Sequence, residues 1–177
     1  MYYICLVIAR DAAHHITNLS QHFPVLFVTG PRQSGKTTLV RALFRDLPYA
    51  LLELPDQRRM ASDDPRSFLA KYPSGAVFDE VQNVPELFSY LQGIVDEDRN
   101  VRFVLTGSQN FLLNEKISQS LAGRAGIATL LPLTLHELND RAMKSTFEEW
   151  IVRGLYPEVQ PQCSTRFVLP ELCPNIS

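Results

Sequence analysis

The chain has 177 residues, of which 45% are hydrophobic, and its 17 basic and 19 acidic side chains give a formal net charge of −2. This length and composition support one hydrophobic core and exclude a second full domain, while the charge gives no bulk reason to bind nucleic acid. The three cysteines, Cys5, Cys163 and Cys173, are odd in number and lack metal-ligand spacing, so we expect reduced thiols in a cytoplasmic protein. The apolar stretch from Tyr2 to Ala9 is too short to span a bilayer, so no membrane partner is expected.

Hydrophobic spacing along the chain alternates between helical and extended patterns. Apolar residues that recur every three or four positions predict helices over 11–21, 35–45 and 84–95. Short apolar runs predict strands over 25–29, 49–54, 76–78, 101–105 and 127–131. The polar stretch 55–71 carries a helix-start signal at Asp63-Asp64-Pro65. Strands that alternate with helices are typical of an α/β fold whose parallel sheet is covered on both faces.

Directly after the first predicted strand, the chain matches the pattern G-x-x-x-x-G-K-[ST]. The matching residues and the hydroxyl residue after them are Gly30, Pro31, Arg32, Gln33, Ser34, Gly35, Lys36, Thr37 and Thr38. A loop of this kind cradles phosphates with its backbone N–H groups, and the positive end of the following helix adds to the attraction. Lys36 is expected to reach the β- and γ-phosphates, and the Thr37 hydroxyl suits Mg²⁺. The four fixed positions match by chance in only about 0.5% of chains this long, so the pattern favours nucleotide binding.

Two adjacent acids follow the third predicted strand. Asp79 stands at the carboxyl end of that strand, where ligands bind in open α/β sheets, and we expect it to hold Mg²⁺. Glu80 is expected to turn towards the γ-phosphate and polarise an attacking water. The alternative is a strand that ends in two solvated acids, but the phosphate-binding loop upstream favours the functional pair.

Polar residues also follow the fourth predicted strand. Thr106, Ser108 and Gln109 lie where a side chain can hydrogen-bond the γ-phosphate or the water. A turn built from Thr-Gly-Ser explains the same residues without any function, and the sequence leaves both interpretations open. If one of them acts in catalysis, Ser108 is the better candidate, because Thr106 is expected to belong to the strand.

Two arginines invite a specific interpretation. Arg124 is a candidate arginine finger, because a fixed guanidinium can neutralise the charge that develops on a transferred phosphoryl group. The alternative for Arg124 is a solvated side chain or a structural ion pair, and the sequence does not say whose nucleotide it faces. Arg32, within the loop, is expected to pair with an acid and fix the shape of the loop.

Taken together, these stretches resemble the prokaryotic AAA-type P-loop ATP-binding proteins, whose C-terminal half is usually a domain of unknown function. The stretches that carry the resemblance are FPV (23–25), TGPRQSGKTTL (29–39), FDEVQNVPEL (78–87), LTGSQ (105–109), SLAGR (120–124), LPL (131–133) and GLYPE (154–158). The resemblance implies a three-layer P-loop fold with a five-stranded sheet of order 5-1-4-3-2, and it implies ATP as the nucleotide. It also assigns Asp79 and Glu80 as the metal-and-base pair and places Gln82 in the family's signature.

The resemblance also sets expectations for domain organisation. We expect an N-terminal segment with a strand and a helix over 1–24 and an AAA-type ATPase domain over 25–140. The remaining segment 141–177 is expected to contain a helix over 147–155 and an irregular tail. Family members carry a long second half, so the chain is expected to lack most of that region through truncation or a frame shift. We expect nucleotide binding to be independent of that region, whereas any activity that needs it, such as partner recognition, is in doubt.

The function predicted from the sequence is a Mg²⁺-dependent ATPase that hydrolyses ATP to ADP and phosphate. The alternative is a nucleotide-dependent binding module or switch with little turnover. A small-molecule kinase shares the loop, but Glu80 beside the metal-binding Asp79 argues against it. The expected partners are ATP and either a second copy of the chain or another protein.

Overall fold

The computed structural model describes residues 8–108, 119–138, 146 and 154–157. These residues belong to two units, one comprising Arg10–Leu131 and the other combining Met1–Ala9 with Pro132–Ser177. Every helix and strand bounded below lies in the unit Arg10–Leu131. All the site residues predicted from the sequence also fall within that unit. The predicted domain bounds at 24 and 140 stay a prediction.

A sheet of five strands forms the centre of the Arg10–Leu131 unit. The strands are β1 (Val25–Gly30), β2 (Tyr49–Leu51), β3 (Gly75–Asp79), β4 (Arg102–Ser108) and β5 (Ala125–Thr129). They pair in parallel in the order β2-β3-β4-β1-β5. From the β5 edge this is the order 5-1-4-3-2, so the predicted α/β fold and strand order are confirmed. Because all strands run the same way, the carboxyl ends of β1, β3 and β4 lie along one edge of the sheet.

Helices cover both faces of the sheet. They are α1 (Ala12–His22), α2 (Lys36–Leu43), α3 (Pro55–Asp63), α4 (Pro65–Leu69) and α5 (Leu87–Glu97). The helix-start signal is confirmed, because the Asp64 carboxylate accepts a hydrogen bond from the Ser67 backbone N–H at 3.0 Å and Pro65 follows as the first helical residue. The short helices α3 and α4 therefore occupy the polar stretch 55–71 that carried this signal.

The core divides into two layers because successive residues of a buried strand point to opposite faces. Val25 and Phe27 of β1 belong to one apolar cluster, and Leu26 and Val28 belong to the other. The first cluster includes residues from α3, α4 and α5, and the second includes residues from α1 and α2. These two layers give the three-layer arrangement that the sequence predicted.

Several element boundaries differ from the predicted ones, and neighbouring segments explain why. β4 continues past 105 to Ser108, because it pairs along the whole of β1 and places Ser108 opposite Gly30. β2 ends at Leu51, since Leu54 already serves as the N-cap of α3. α5 begins at 87 rather than 84, because Val81–Asn83 form a short 3-10 turn first.

The described part of the second unit contains a small apolar cluster. Leu133 and Leu138 are buried there and pack with Ile8 and Leu155. Several predictions fall outside the described residues, namely the helix over 147–155 except for its last two residues, the tail 159–177, Gln109 and the three cysteines. Among the helices of the described residues, none combines the length and the apolar character needed to cross a membrane.

Candidate functional site

The loop between β1 and α2 begins with a glycine that no other residue can replace without displacing its neighbours. Gly30 has φ +151°, and a Cβ atom added there would lie 2.1 Å from the backbone oxygen of Leu130. The Leu130 N–H in turn donates to the Thr29 oxygen at 2.7 Å, so the exit of β5 closes tightly on the end of β1. This close backbone approach fixes the point at which the loop leaves the sheet.

The rest of the loop curls through left-handed conformations into the helix. Gln33 has φ 61° and Gly35 has φ 92°, and Gly35 is the N-cap of α2. No side chain caps this helix end, so the first-turn N–H groups at Lys36, Thr37 and Thr38 keep their capacity to bind an anion. The backbone at this end of α2 therefore has N–H groups available for an anion, and the phosphate-binding role of the loop stays a prediction.

Lys36 lies within the loop rather than in solvent. Its side chain is buried, and its ammonium donates to the backbone oxygens of Gly30 at 3.1 Å and Pro31 at 2.8 Å. Burial lowers the pKa of Lys36, and the nearby carboxylates of Glu80 and Asp79 act in the opposite direction. The loop thus holds a cation at its mouth, close to the two acids that follow β3.

Asp79 is the centre of a cluster of hydroxyl groups. Asp79 is only 1% exposed as a residue, and one carboxylate oxygen accepts hydrogen bonds from the Thr37 hydroxyl at 2.7 Å and the Tyr49 hydroxyl at 2.6 Å. The other oxygen accepts from the Thr106 hydroxyl. The predicted pair of Thr37 and Asp79 is therefore brought into direct contact. A hydroxyl and a carboxylate side by side form the oxygen donor set that Mg²⁺ takes from proteins.

Tyr49 is a site residue that the sequence reasoning missed. It stands at the start of β2, where the pattern indicated only an apolar strand. Burial raises the pKa of Tyr49, and its hydrogen bond to Asp79 raises it further, so the phenol stays a donor at neutral pH. The Arg41 guanidinium lies over the ring, 4.7 Å from its centroid. The sequence does place Tyr49 at the start of β2, the neighbour of the strand that ends in Asp79. It does not show whether the Tyr49 hydroxyl reaches Asp79.

Glu80 adopts a backbone conformation that is rare for residues other than glycine. Its φ and ψ are 57° and 46°, and its N–H donates to the Thr106 hydroxyl oxygen at 3.3 Å. The Asn83 backbone N–H at 3.1 Å and its side-chain amide at 3.0 Å both donate to the Glu80 backbone oxygen. The Glu80 carboxylate accepts a hydrogen bond from the Gln82 side-chain amide. These contacts hold the second acid in a fixed orientation immediately beside Asp79.

At the end of β4 the structure assigns different surroundings to the two hydroxyl residues. Thr106 lies inside the strand, as expected, but it contacts both Asp79 and Glu80 and so joins the two acids. Ser108 is the last residue of β4 and pairs with Gly30, at the mouth of the loop. Its hydroxyl is buried and makes no hydrogen bond. The role predicted for Ser108 stays a prediction, and Thr106 is added to the site on geometric grounds.

Buried polar atoms without partners concentrate around the loop. Among the described residues these atoms are the hydroxyl oxygens of Thr29, Ser34 and Ser108 and the side-chain amide oxygen of Gln82. Each residue belongs to the loop or to the strand ends and turn that surround it. Since buried polar groups are normally hydrogen-bonded, this concentration fits a site that a polar, oxygen-rich ligand completes. The residues present therefore fit a phosphorylated nucleotide with its metal ion.

Arg124 lies at the opposite end of the strands from the loop. It immediately precedes β5, and its backbone oxygen accepts from the N–H of Val25 at the start of β1. Its guanidinium binds the Asp96 carboxylate through two nitrogens, at 2.6 and 2.8 Å. Because the loop follows the other end of β1, this geometry corrects the arginine-finger hypothesis for the chain's own site. The observed contact is the structural ion pair that the sequence left as the alternative.

The remaining loop residues face outwards. Arg32, Gln33 and Thr38 are exposed, and Pro31 contributes its backbone oxygen to Lys36 and to the Ser34 N–H. No ion pair of Arg32 with an acid is found within the described residues, so the pairing predicted to shape the loop is not what shapes it. The basic side chain that does contact the loop backbone from within the motif is Lys36, which donates to the oxygens of Gly30 and Pro31.

Comparison with known proteins agrees with this geometry. Residues 22–139 match the AAA domain family, and the chain belongs to that family of P-loop proteins. It is 34% identical over 158 residues to the uncharacterised protein Rv2008c of Mycobacterium tuberculosis and, to the same extent, to the uncharacterised protein Mb2031c of Mycobacterium bovis. These matches cover 86% of the chain but only 35% of each relative, so the chain spans about a third of their length.

Two solved structures share the fold. The Walker-type ATPase PABY2304 of Pyrococcus abyssi has a TM-score of 0.56 and 21% identity, with 86% of this chain and 61% of that chain covered. A DNA replication initiation factor has a TM-score of 0.51 and 12% identity, with 86% of this chain and 59% of that chain covered. At such identities the likeness concerns the fold alone, and it supports the P-loop ATPase architecture.

Proposed function

We propose that this protein binds ATP together with Mg²⁺ and hydrolyses it to ADP and phosphate. The observation that carries the proposal is the 2.7 Å hydrogen bond from the Thr37 hydroxyl to the Asp79 carboxylate. It joins the end of the phosphate-binding loop to the acid at the end of β3, so anion and cation ligands converge at one place. Family membership supports ATP as the nucleotide.

Each residue of the site has a role in this proposal. The N–H groups of the loop and of the first turn of α2 bind the phosphate oxygens, and Lys36 exchanges its loop carbonyls for the β- and γ-phosphates. Thr37 and Asp79 would hold Mg²⁺, which neutralises charge on the phosphate oxygens when it is bound. Glu80 accepts the proton of the attacking water, and the contacts that fix its backbone orient it for that step.

Phosphate release and nucleotide binding, measured side by side, test this assignment. We expect Lys36→Ala to abolish ATP binding, while Glu80→Gln keeps binding and stops hydrolysis. Glu86→Gln is the matched control, because Glu86 is an exposed acid on the same connection to α5. Equal hydrolysis by the wild type and Glu80→Gln would remove Glu80 from its proposed role.

A second candidate is a switch that binds ATP with little turnover. The contact that favours the switch is the hydrogen bond from the Gln82 side-chain amide to the Glu80 carboxylate. This bond engages the carboxylate that would otherwise accept a proton from water. The switch predicts tight nucleotide binding with no more phosphate release than Lys36→Ala shows. It further predicts that Gln82→Ala increases phosphate release, since that change frees Glu80.

Assembly and location also belong to the proposal. We propose that the protein acts in the cytoplasm with a second copy of itself or with another protein, without nucleic acid or membrane. Arg124 then acts as a finger only towards a neighbour's nucleotide, for which it would leave Asp96. Size-exclusion chromatography with and without Mg-ATP tests self-assembly, and an unchanged monomer peak in both runs contradicts the proposal of a second copy.

A further inference from the structure

An arginine outside the sequence motif contacts the backbone of the phosphate-binding loop. Arg10 lies just before α1, and its guanidinium donates to two backbone oxygens. One bond reaches Ser34 in the loop at 2.7 Å, and the other reaches Leu131 just beyond β5 at 2.6 Å. The guanidinium therefore bridges the loop to the segment that follows the edge strand.

The position of the bridged carbonyl determines the direction of an amide group. In a trans peptide the carbonyl oxygen and the N–H of the next residue point in opposite directions. The Ser34 oxygen points towards Arg10, so the Gly35 N–H of the same peptide points away from Arg10. The proposed function requires donors on the side of the loop that faces the phosphate oxygens of the bound nucleotide.

This peptide has little else to fix its orientation. Gly35 has φ 92° and no side chain, so the backbone at that point can rotate more easily than elsewhere in the loop. The Ser34 hydroxyl, although fully buried, makes no hydrogen bond that would orient the residue. Within the described residues, the bond from Arg10 joins the Ser34–Gly35 peptide to a distant part of the chain.

We propose that Arg10 is a positioning residue for nucleotide binding, because it orients the Ser34–Gly35 peptide so that the Gly35 N–H faces the phosphates. The proposal rests on the proposed function for the identity of the ligand. The two bonds come from different nitrogens of the guanidinium, Nη1 and Nη2, whereas a lysine must bring one ammonium nitrogen within reach of both carbonyl oxygens. Lysine at position 10 therefore preserves the charge but not the bridge.

The test measures nucleotide affinity and the Gly35 amide in the same set of variants. Arg10→Ala and Arg10→Lys are compared with Arg99→Ala, which removes an exposed guanidinium from the connection between α5 and β4, at the other end of the strands from the loop. Titration with a fluorescent ATP analogue and Mg²⁺ gives the affinity. We expect both Arg10 variants to bind about tenfold more weakly than the wild type, as loss of a charge-assisted hydrogen bond implies, and Arg99→Ala to bind within about twofold.

Isotope labelling provides a readout that loss of stability alone does not change. The chain contains only two Ser-Gly pairs, so carbonyl-¹³C serine with ¹⁵N glycine isolates the amide signals of Gly35 and Gly75. We expect the Gly35 signal of the protein without nucleotide to shift in both Arg10 variants and to stay in place in Arg99→Ala. Gly75, at the start of β3, is the internal control and should not move in the Arg10 variants.

The outcomes separate this proposal from the proposed function. If the wild type does not bind the analogue, both fail. If the wild type binds and Arg10→Ala binds equally well with an unshifted Gly35 signal, only the positioning role is overturned. Wild-type affinity in Arg10→Lys also overturns it, because charge alone then suffices.

Discussion

Replacement of Thr106 by valine tests whether the two acids of the site are held by one hydroxyl. The Thr106 side chain is fully buried, donates to Asp79 and accepts from the Glu80 N–H. Valine keeps the shape but removes both hydrogen bonds. It also leaves the Glu80 N–H without its partner while that residue remains in a left-handed conformation.

The expected loss follows from these contacts. A hydrogen bond to a charged group contributes about 1.5–3 kcal/mol, and a neutral one contributes about 1 kcal/mol. The added buried methyl group of valine returns about 1 kcal/mol. We therefore expect Thr106→Val to lower the free energy of unfolding by about 2 kcal/mol, which corresponds to a Tm decrease of about 4–8 °C in a chain of this size.

Differential scanning fluorimetry and phosphate release measure the two consequences together. Ser108→Ala is the matched control, because the Ser108 hydroxyl is buried nearby but has no hydrogen bond to lose. We expect Ser108→Ala to change Tm by less than about 2 °C, and Thr106→Val to reduce hydrolysis more than nucleotide binding, since Glu80 loses its orientation. A Tm for Thr106→Val within 1 °C of the wild type, or a larger decrease for Ser108→Ala, refutes the reasoning.

Three further predictions concern the loop, the hydroxyl cluster around Asp79 and the ion pair between Arg124 and Asp96. Gly30→Ala should lower the free energy of unfolding by about 3 kcal/mol in urea titrations, because the added Cβ meets a backbone oxygen at 2.1 Å. Gly93→Ala is the control, since its Cβ enters open space and should raise the free energy of unfolding by about 0.5–1 kcal/mol. The reverse order of the two effects contradicts the packing argument. Tyr49→Phe should weaken Mg²⁺ binding in the presence of ATP by about tenfold, and unchanged affinity in a Mg²⁺ titration removes Tyr49 from the site. The Arg124 guanidinium lowers the pKa of Asp96, so the ion pair stabilises the fold at pH above the ordinary value of 3.8 and is lost as pH falls below it. The Tm difference between the wild type and Asp96→Asn should therefore shrink as pH falls from about 6 to 3, and a constant difference contradicts the assignment.

The fold and the phosphate-binding loop were predictable because their signals are local or periodic. Buried parallel strands are read as apolar runs, and Gly30, Gly35 and Lys36 stand at fixed spacing between a strand and a helix. The pairing of Thr37 with Asp79 was also predictable, since parallel strands bring their carboxyl ends to one edge.

The hydrogen bonds of the hydroxyl residues and the backbone conformation of Glu80 were not predictable from the sequence. Whether the hydroxyl of Thr106, Ser108 or Tyr49 contacts Asp79 depends on register and side-chain direction across strands, which the spacing of residues along the chain does not contain. The left-handed conformation of Glu80 likewise has no marker in the residue type.

Arg124 shows the opposite case, in which a usable signal was present. It precedes the fifth strand, and in a parallel sheet the start of a strand lies at the edge away from the loop. That topological argument separates Arg124 from its own chain's nucleotide, and the ion pair with Asp96 agrees with it. The position of a residue relative to its strand is thus as informative as its chemistry.

The central claim is that the loop and Asp79 together hold a nucleotide and its metal ion. Isothermal titration calorimetry with ATP, in the presence and absence of Mg²⁺, tests it most directly in the wild type and in Asp79→Asn. We predict that Mg²⁺ strengthens ATP binding to the wild type at least about tenfold and has little effect on binding to Asp79→Asn. No heat on titration of the wild type, or an equal gain from Mg²⁺ in both proteins, contradicts the claim.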